Sequence, residues 1–229
     1  MTLNLDRIVV LTGAGMSAES GLKTFRDADG LWEGHDVMQV ASPEGWHRDP
    51  EMVLDFYNQR RRQLLEVQPN AGHQLLAELE QRYSVDIVTQ NVDDLHERAG
   101  SSRVLHLHGE LLKVRSTRDE SLVQEWTKDL VLGDLCELGS QLRPHIVWFG
   151  EAVPMLNTAI EITAQADKII IIGTSMQVYP ASGLIHYARP GVPLYFIDPR
   201  PTIRSTDFEN LTIIEDTAVN GMKKLAGLL

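Results

Sequence analysis

A run of small residues near the start of the chain could hold a phosphate. Gly13, Gly15 and Ala18 have the spacing G-x-G-x-x-G/A, and they directly follow a β-branched apolar run at 8–11. A loop of this kind lets the backbone approach a pyrophosphate, and it points the amino end of the next helix at that charge. A tight strand-to-helix turn without a ligand would use the same small residues. The loop therefore predicts a dinucleotide site, with a plain turn as the alternative.

Side chains suited to a ribose or a carboxamide follow a second apolar run, at 85–89. Gln90, Asn91 and Asp93 provide two amides and a carboxylate, which bind hydroxyl and carboxamide groups. Ligands of open α/β sheets bind outside the carboxyl ends of the strands, where this segment is expected. An Asx-type turn that caps the next helix would also explain Asp93 or Asp94, but it explains Gln90 poorly.

Two histidines end a third apolar run. His106 and His108 would face the same side of a strand, so they could form a metal-binding pair, or each could be structural. Gly109 exposes His108 at the strand end, where an imidazole with a pKa of about 6.5 is useful as a general base. We therefore expect His108 to be the functional one of the two.

Three further segments could contact ligands. Residues 143–151 form an extended segment with an aromatic pair, and an exposed strand here could accept a peptide by strand addition. Residues 173–175, Gly-Thr-Ser, form a small polar turn that suits a phosphate or a ribose. Asp198 ends another apolar run and could bind a ribose, although Asp198-Pro199 could simply begin a turn.

Short apolar runs alternate with helical patterns along the chain. The predicted strands are 8–11, 85–89, 103–107, 169–172 and 194–197, and the predicted helices are 50–65, 70–83, 158–164 and 218–228. Unbroken β-branched runs are typical of a parallel sheet that is covered on both faces. The alternation predicts an α/β fold with a Rossmann-like, doubly wound parallel sheet.

Two stretches, 22–48 and 109–145, do not fit this alternation, and they predict a small inserted module. A dehydrogenase would have a second strand after the glycine-rich loop, closed by an acid roughly 20 residues on. Glu33 and Asp36 lie near that distance, but no strand leads to them. We predict a single domain over 1–229, with a large part at about 1–26, 75–108 and 144–229. The small module would comprise about 27–74 and 109–143.

Composition excludes several classes of protein. The 229 residues suffice for one large α/β domain, and the net charge of −11 argues against nucleic-acid binding. An apolar stretch of membrane-spanning length and a secretion signal are both missing, so we expect no membrane partner and a cytoplasmic location. The single cysteine, Cys136, excludes an internal disulfide and a metal site built from several cysteines.

In order, and over nearly the whole chain, the motifs resemble the sirtuin family, the NAD-consuming protein-lysine deacylases. The matching segments are Gly13-Ala-Gly-Met-Ser-Ala-Glu-Ser-Gly21, Thr24-Phe25-Arg26, Thr89-Gln-Asn-Val-Asp93, His108-Gly109, Val147-Trp-Phe-Gly-Glu151 and Gly173-Thr-Ser175. The resemblance implies that NAD is a consumed co-substrate. It implies that His108 is the general base as the acyl group moves from lysine to the ribose. The products would be free lysine, nicotinamide and O-acyl-ADP-ribose, and the partners would be acyl-lysine proteins or peptides.

The same resemblance assigns roles to individual residues. The catalytic residues would be His108 and Asn91. The cofactor-binding residues would be Gly13, Ala14, Gly15, Ala18, Glu19, Thr24, Phe25, Arg26, Gln90, Asn91, Val92, Asp93, Gly173, Thr174, Ser175, Asp198 and Ala218. The substrate-binding residues would be Tyr57, Arg60, Val147, Phe149 and Gly150, with the backbone of Val147 and Phe149 gripping the substrate strand.

Tyr57 and Arg60 indicate which acyl group is accepted. They are three residues apart on one face of the predicted helix 50–65, and a phenol beside a guanidinium suits a carboxylate. The pair resembles that of sirtuins which remove succinyl and malonyl groups, and related bacterial members also resemble deacetylases. A solvated helix face is the alternative, because Arg61 and Arg62 follow.

The insert departs from the family, whose members usually bind a structural zinc through two cysteine pairs. Ser116 and Asp119 stand where a first pair would lie, and Cys136 with Gly139 is all that remains of a second. One thiolate does not make such a site, so we expect no zinc. Leu122, Val123, Trp126 and Leu130, at helical spacing, would hold the insert by packing. Asp198 replaces the Asn usual in the family, and we expect ribose binding to persist.

Other functions remain open from the sequence. An ADP-ribosyltransferase on the same fold would let water or an arginine intercept the ribose. A metal hydrolase built on His106 and His108 would act without NAD, and a non-catalytic ADP-ribose reader would release no nicotinamide. The sequence does not indicate an oligomeric state.

Overall fold

A six-stranded parallel sheet forms the centre of the computed structural model, which describes residues 5–23, 31–32 and 34–229. The strands, numbered along the chain, are β1 Arg7–Thr12, β2 Leu31–Trp32, β3 His35–Asp36, β4 Ser84–Thr89, β5 Val104–His106, β6 Gly109–Ser116, β7 Val123–Glu125, β8 Leu142–Ile146, β9 Lys168–Ile172, β10 Leu194–Ile197 and β11 Leu211–Ile214. The order across the sheet is β11-β10-β9-β1-β4-β5, and all neighbours are parallel. The predicted α/β fold is confirmed.

The predicted helices exist, with shifted ends. The α-helices are α1 Val37–Val40, α2 Pro43–Arg48, α3 Pro50–Glu66, α4 Ala71–Leu79, α5 Leu95–Arg98, α6 Leu156–Ala164 and α7 Ala218–Leu225. Asp49 begins α3 by accepting a hydrogen bond from the N–H of Met52, and Asn70 begins α4 in the same way. α4 ends at Leu79, before the predicted end at residue 83, because the chain forms a turn at 80–82.

The sheet buries both of its faces, as the unbroken apolar runs predicted. Ile169, Ile170, Ile171 and Ile172 are all fully buried, and they alternate between two separate cores. One core packs against α4 and α7, and the other packs against α6. Each buried isoleucine contributes roughly 1.5–3 kcal/mol before the cost of ordering the chain. The edge strand β11, which has only four residues, is not among the strands predicted from the sequence.

The strand order reverses beside β1. From β1 the chain continues to β4 and β5 on one side, and it later returns to β9, β10 and β11 on the other. The chain therefore leaves the carboxyl ends of β1 and β9 toward opposite sides of the sheet. The carboxyl ends beside such a reversal are the position at which open α/β sheets bind ligands.

The insert forms a small antiparallel sheet rather than a helix. Its strand order is β7-β6-β8, and the predicted helical pattern at 122–130 is wrong, because β7 pairs with β6 there. Leu130 is fully buried and Trp126 is half-buried against it, but Leu122 is only half-buried and Val123 is 39% exposed. Four apolar residues were too few to distinguish a helix from a strand.

β2 and β3 pair with each other in a two-stranded antiparallel sheet that is separate from the main sheet. The expected lack of a second Rossmann strand therefore holds for the described residues of this stretch. The division into a large part and a small module stays a prediction. Within the described ranges, the helices are too short or too polar to cross a membrane.

Candidate active site

The loops that follow β1, β4 and β9 surround one cavity of about 490 Å³. Every predicted site residue that the structure describes lines it, except Gly150. These lining residues are Gly13, Ala14, Gly15, Ala18, Glu19, Tyr57, Arg60, Gln90, Asn91, Val92, Asp93, His108, Val147, Phe149, Gly173, Thr174, Ser175, Asp198 and Ala218. Thr24, Phe25 and Arg26 lie outside the described residues.

The small residues of the first loop allow two loops to meet. The N–H of Gly13 donates to the carbonyl of Ile172 at 3.0 Å, and that of Gly15 donates to Gly173 at 2.8 Å. A Cβ on Gly173, whose φ is +62°, would lie 2.4 Å from the carbonyl carbon of Gly15. Tight packing therefore explains these glycines, and it also brings both loops to the wall of the cavity.

The prediction of a helix directly after the glycine-rich loop is wrong. Residues 14–20 form two short 3₁₀ turns, Ala14–Met16 and Ala18–Ser20. The N–H groups of Met16 and Ser17 close the first turn by donating to Gly13 and Ala14. A phosphate at this loop would therefore meet loop backbone rather than the amino end of a long helix.

Ser17, which is not among the predicted site residues, joins two of the predicted polar residues. Its hydroxyl donates to Oδ2 of Asp93 at 2.9 Å and accepts from Nδ2 of Asn91 at 3.1 Å. All three side chains are buried. Burial raises the pKa of Asp93 to about 6, although the bonds from Ser17 and the N–H of Leu95 oppose this change. The bond from Leu95 also shows that the Asx-type turn expected as an alternative is present.

His108 is held as a neutral imidazole. Its Nδ1 donates to the carbonyl oxygen of Gln90 at 3.1 Å, so Nε2 carries the lone pair in the neutral form. Burial lowers the pKa of His108, and the bond to Gln90 only partly offsets the effect. A half-buried, neutral imidazole on the wall of a cavity can accept a proton near neutral pH.

His106 has a different environment, so the two histidines do not form a metal pair. Nε2 of His106 lies 2.7 Å from Oε1 of Glu97, and Nδ1 lies 3.1 Å from the carbonyl of Asn91. Burial opposes the charged imidazolium, but Glu97 outweighs it and raises the pKa of His106. His106 therefore supports the loop that carries Asn91.

Tyr57 and Arg60 project from neighbouring turns of α3 to the cavity. Tyr57 is 1% exposed, and its hydroxyl accepts a hydrogen bond from Nε1 of Trp148 at 2.9 Å. Burial raises the pKa of the Tyr57 phenol, so it remains protonated and can donate a hydrogen bond. The guanidinium carbon of Arg60 lies 5.5 Å from the ring centroid of Phe56.

The next two arginines of α3 do not line the cavity. Arg61 is buried, and it donates to the carbonyl of Leu111 and to Oδ1 of Asn58. Arg62 lies on the outside, 2.7 Å from Asp129. The alternative interpretation, a helix face exposed to solvent, therefore holds for Arg62 but not for Arg60 or Arg61.

The 147–149 segment is fixed by its own N–H groups. The N–H of Val147 donates to the carbonyl of His108, and that of Phe149 donates to Ala41, both at 2.9 Å. Any grip of these two residues on a substrate strand would therefore use their carbonyl oxygens. β8 ends just before this segment and is the edge strand of its sheet, as addition of a peptide strand requires.

Asp198 and Ala218 both line the cavity. Asp198 is 2% exposed, and its Oδ1 accepts from the N–H of Arg200 at 2.8 Å. Asp198 therefore begins a turn, as one of the two sequence interpretations expected. Its side chain also lines the cavity. Arg200 and Thr217 also line the cavity, and the sequence does not predict them because neither stands in a recognisable motif.

The insert contains one cysteine, whose thiol lies beside a serine. Sγ of Cys136 is 3.3 Å from Oγ of Ser116, the residue that stands at the first zinc-ligand position. Within the described part of the chain, no three His, Cys, Asp or Glu side chains are grouped to hold a metal ion. The absence of zinc stays a prediction.

Comparison with known proteins relates this chain to one family. The sequence model of the Sir2 family matches residues 13–180. An NAD-dependent protein deacylase of Helicobacter pylori is 62% identical over 221 residues, which cover 96% of each chain. One from Bacteroides thetaiotaomicron is 53% identical over 233 residues, with 98% of each chain covered.

Solved structures agree in fold. A crystal structure of a Sir2 homolog–NAD complex aligns with a TM-score of 0.87 and 39% identity, covering 98% of this chain and 90% of that one. A Sir2 complex with a deacetylated p53 peptide and 3'-O-acetyl ADP ribose aligns with a TM-score of 0.83 and 29% identity, covering 98% and 94% of the two chains.

Proposed function

The chain belongs to the Sir2 family, and from this premise we propose that it is an NAD-dependent protein deacylase acting on acyl-lysine residues. One observation carries the proposal. One cavity, at the carboxyl edge of the sheet where the strand order reverses, holds all three parts of a site. It is lined by the neutral imidazole of His108, by the glycine-rich loop, and by the hydrogen-bonded side chains of Ser17, Asn91 and Asp93. These residues come from three segments of the chain, at 13–18, 90–93 and 108.

The described residues fit NAD. The backbone of Gly13 and Gly15 lies on the cavity wall, where a pyrophosphate can approach it, and Asp198 offers a carboxylate to the adenine ribose. Asn91 and Asp93 offer an amide and a carboxyl group to the nicotinamide carboxamide. NAD supplies a ribose carbon that can accept the acyl oxygen when its bond to nicotinamide breaks.

His108 is the general base of this proposal. Its Nδ1–H is held by Gln90, which fixes the tautomer and leaves Nε2 to take a proton from a ribose hydroxyl. The carbonyl of His108 also binds the N–H of Val147, so the base and the proposed peptide-binding segment are fixed to each other.

Acidic acyl groups, succinyl and malonyl, are the further part of the proposal, together with acetyl. The phenol of Tyr57 can donate a hydrogen bond and Arg60 supplies a positive charge in the same cavity. A guanidinium and a hydroxyl together favour a carboxylate. The two residues therefore favour an acyl chain that ends in a carboxylate.

Mass spectrometry of acetyl-, malonyl- and succinyl-lysine peptides tests the proposal. With NAD, we expect loss of each acyl group and release of nicotinamide and O-acyl-ADP-ribose in equal amounts. ADP-ribose attached to protein would instead show a transferase. Deacylation without NAD that stops with a chelator would show a metal hydrolase, and nucleotide binding without nicotinamide release would show a reader.

The substitution Arg60→Met tests the acidic-acyl part. It removes the charge while keeping much of the apolar side chain, so desuccinylation should fall far more than deacetylation. Arg62→Met is the matched control, because Arg62 lies outside the cavity. Equal losses of both activities in Arg60→Met would refute the acidic-acyl preference while leaving the deacylase function in place.

A further inference from the structure

We propose that Trp148 is a positioning residue for acidic acyl groups, because its indole N–H orients the Tyr57 hydroxyl to donate toward an acyl carboxylate. The inference rests on the proposed acidic-acyl function. Its basis is a chain of contacts from Glu151 through Arg143 and Trp148 to Tyr57.

The direction of one hydrogen bond carries the argument. An indole nitrogen can only donate, so the 2.9 Å bond between Trp148 and Tyr57 occupies a lone pair of the phenol oxygen. The phenol hydrogen takes no part in that bond. Tyr57 therefore presents a donor in another direction, and a carboxylate accepts such a donor whereas a methyl group does not.

Trp148 is itself held in place on several sides. The guanidinium carbon of Arg143 lies 3.3 Å from the centroid of its ring, and Trp46 packs against it with ring centroids 5.8 Å apart. Its backbone N–H donates to Glu151 at 2.8 Å, and its side chain is 2% exposed. The indole cannot turn without breaking these contacts.

Glu151 holds Arg143 in place against the indole of Trp148. Arg115 and Arg143 face each other directly on β6 and β8, where like charges repel. Glu151 accepts hydrogen bonds from both, at 3.2 Å and 2.7 Å. Although burial acts in the opposite direction, the bonds from Arg143 and Trp148 lower the pKa of Glu151, so the carboxylate stays charged and keeps Arg143 on the indole.

A pair of substrates of equal length separates recognition of the terminal carboxylate from recognition of the carbon chain of the acyl group. Succinyl and butyryl groups both have four carbons, and only succinyl ends in a carboxylate. The ratio of kcat/KM for succinyl-lysine to that for butyryl-lysine therefore measures recognition of the carboxylate. Because both values come from one sample, partial unfolding of a variant cancels from the ratio.

Trp148→Phe removes the indole N–H and keeps an aromatic ring beneath Arg143. We expect the succinyl-to-butyryl ratio to fall roughly three- to tenfold, the value of one neutral hydrogen bond, mainly through the KM for succinyl-lysine. Trp46→Phe is the matched control: it changes the same kind of side chain in the same aromatic cluster, but Trp46 does not line the cavity. In a Tyr57→Phe background, Trp148→Phe should change the ratio by less than about twofold, because the bond is already gone.

The outcomes are distinguishable. A wild-type protein that does not prefer succinyl over butyryl would refute the acidic-acyl function, and this inference with it. A wild-type preference that Trp148→Phe leaves intact would overturn the inference alone. An equal fall of the ratio in Trp46→Phe would also overturn it, since general repacking would then explain the effect.

Discussion

Replacing Asp93 with Asn should make the protein more stable at neutral pH and slightly less stable in acid. Asp93 is 6% exposed, and burial raises its pKa from an ordinary value of 3.8 to about 6. The protonated acid therefore contributes stability that is complete below pH 3.8 and is lost as the pH rises through 6. At pH 7.5 the folded protein holds a buried carboxylate at a cost, and Asn removes that cost.

The size of the effect follows from two opposing terms. The difference between 3.8 and about 6 corresponds to roughly 3 kcal/mol. Asn can keep the hydrogen bond from Ser17 through its amide oxygen, but its amide nitrogen faces the N–H of Leu95 and loses the 3.2 Å bond. That loss costs about 1 kcal/mol. The net gain is about 2 kcal/mol at pH 7.5, and the two proteins should be equally stable near about pH 4.5.

Thermal unfolding without NAD, from pH 4 to pH 8, measures this difference. A gain of about 2 kcal/mol raises the Tm by roughly 4–8 °C at pH 7.5 for a chain of this size. Asp216→Asn is the control of opposite sign, because the bond from Lys224 lowers the pKa of Asp216 and its contribution is lost as the pH falls. A stability difference for Asp93→Asn that stays constant between pH 4.5 and pH 7.5 would refute the reasoning.

Three further predictions concern the base, the paired loops and the insert. His108→Tyr should abolish turnover while calorimetry still detects NAD binding. Because burial lowers the pKa of His108, wild-type activity should fall only below pH 6.5. Gly173→Ala should destabilise the protein by roughly 2–4 kcal/mol and weaken NAD binding, since its Cβ would meet Gly15 at 2.4 Å; denaturant unfolding and calorimetry check both. A chelator should leave the Tm unchanged, whereas equimolar zinc that survives chelation in elemental analysis would contradict the zinc-free insert.

The main sheet was predictable because its strands are continuous apolar runs. The side chains of the four isoleucines at 169–172 alternate between the two faces of the sheet, so both faces must be buried to keep them from water. The structure buries all four. The insert was not predictable in the same way. Residues 122–130 carry so few apolar side chains that pairing of β7 with β6, a contact distant in the sequence, decides their structure.

The residues of the candidate site were also predictable only in part. The motifs placed Gly13, Asn91 and His108 at strand ends, and parallel strands bring such ends to one edge. The role of Ser17 as the bond between Asn91 and Asp93 could not be predicted, because it depends on how two loops meet.

The sequence by itself determined the α/β sheet, the order of the motifs and the residue types that surround the cavity, because local apolar patterns and short spacings encode them. Only the tertiary structure decided which of three consecutive arginines reaches the cavity, which nitrogen of His108 keeps the lone pair, and that Trp148 binds the Tyr57 hydroxyl. Those properties depend on hydrogen bonds and burial between segments far apart in the chain. Folding alone brings such segments together.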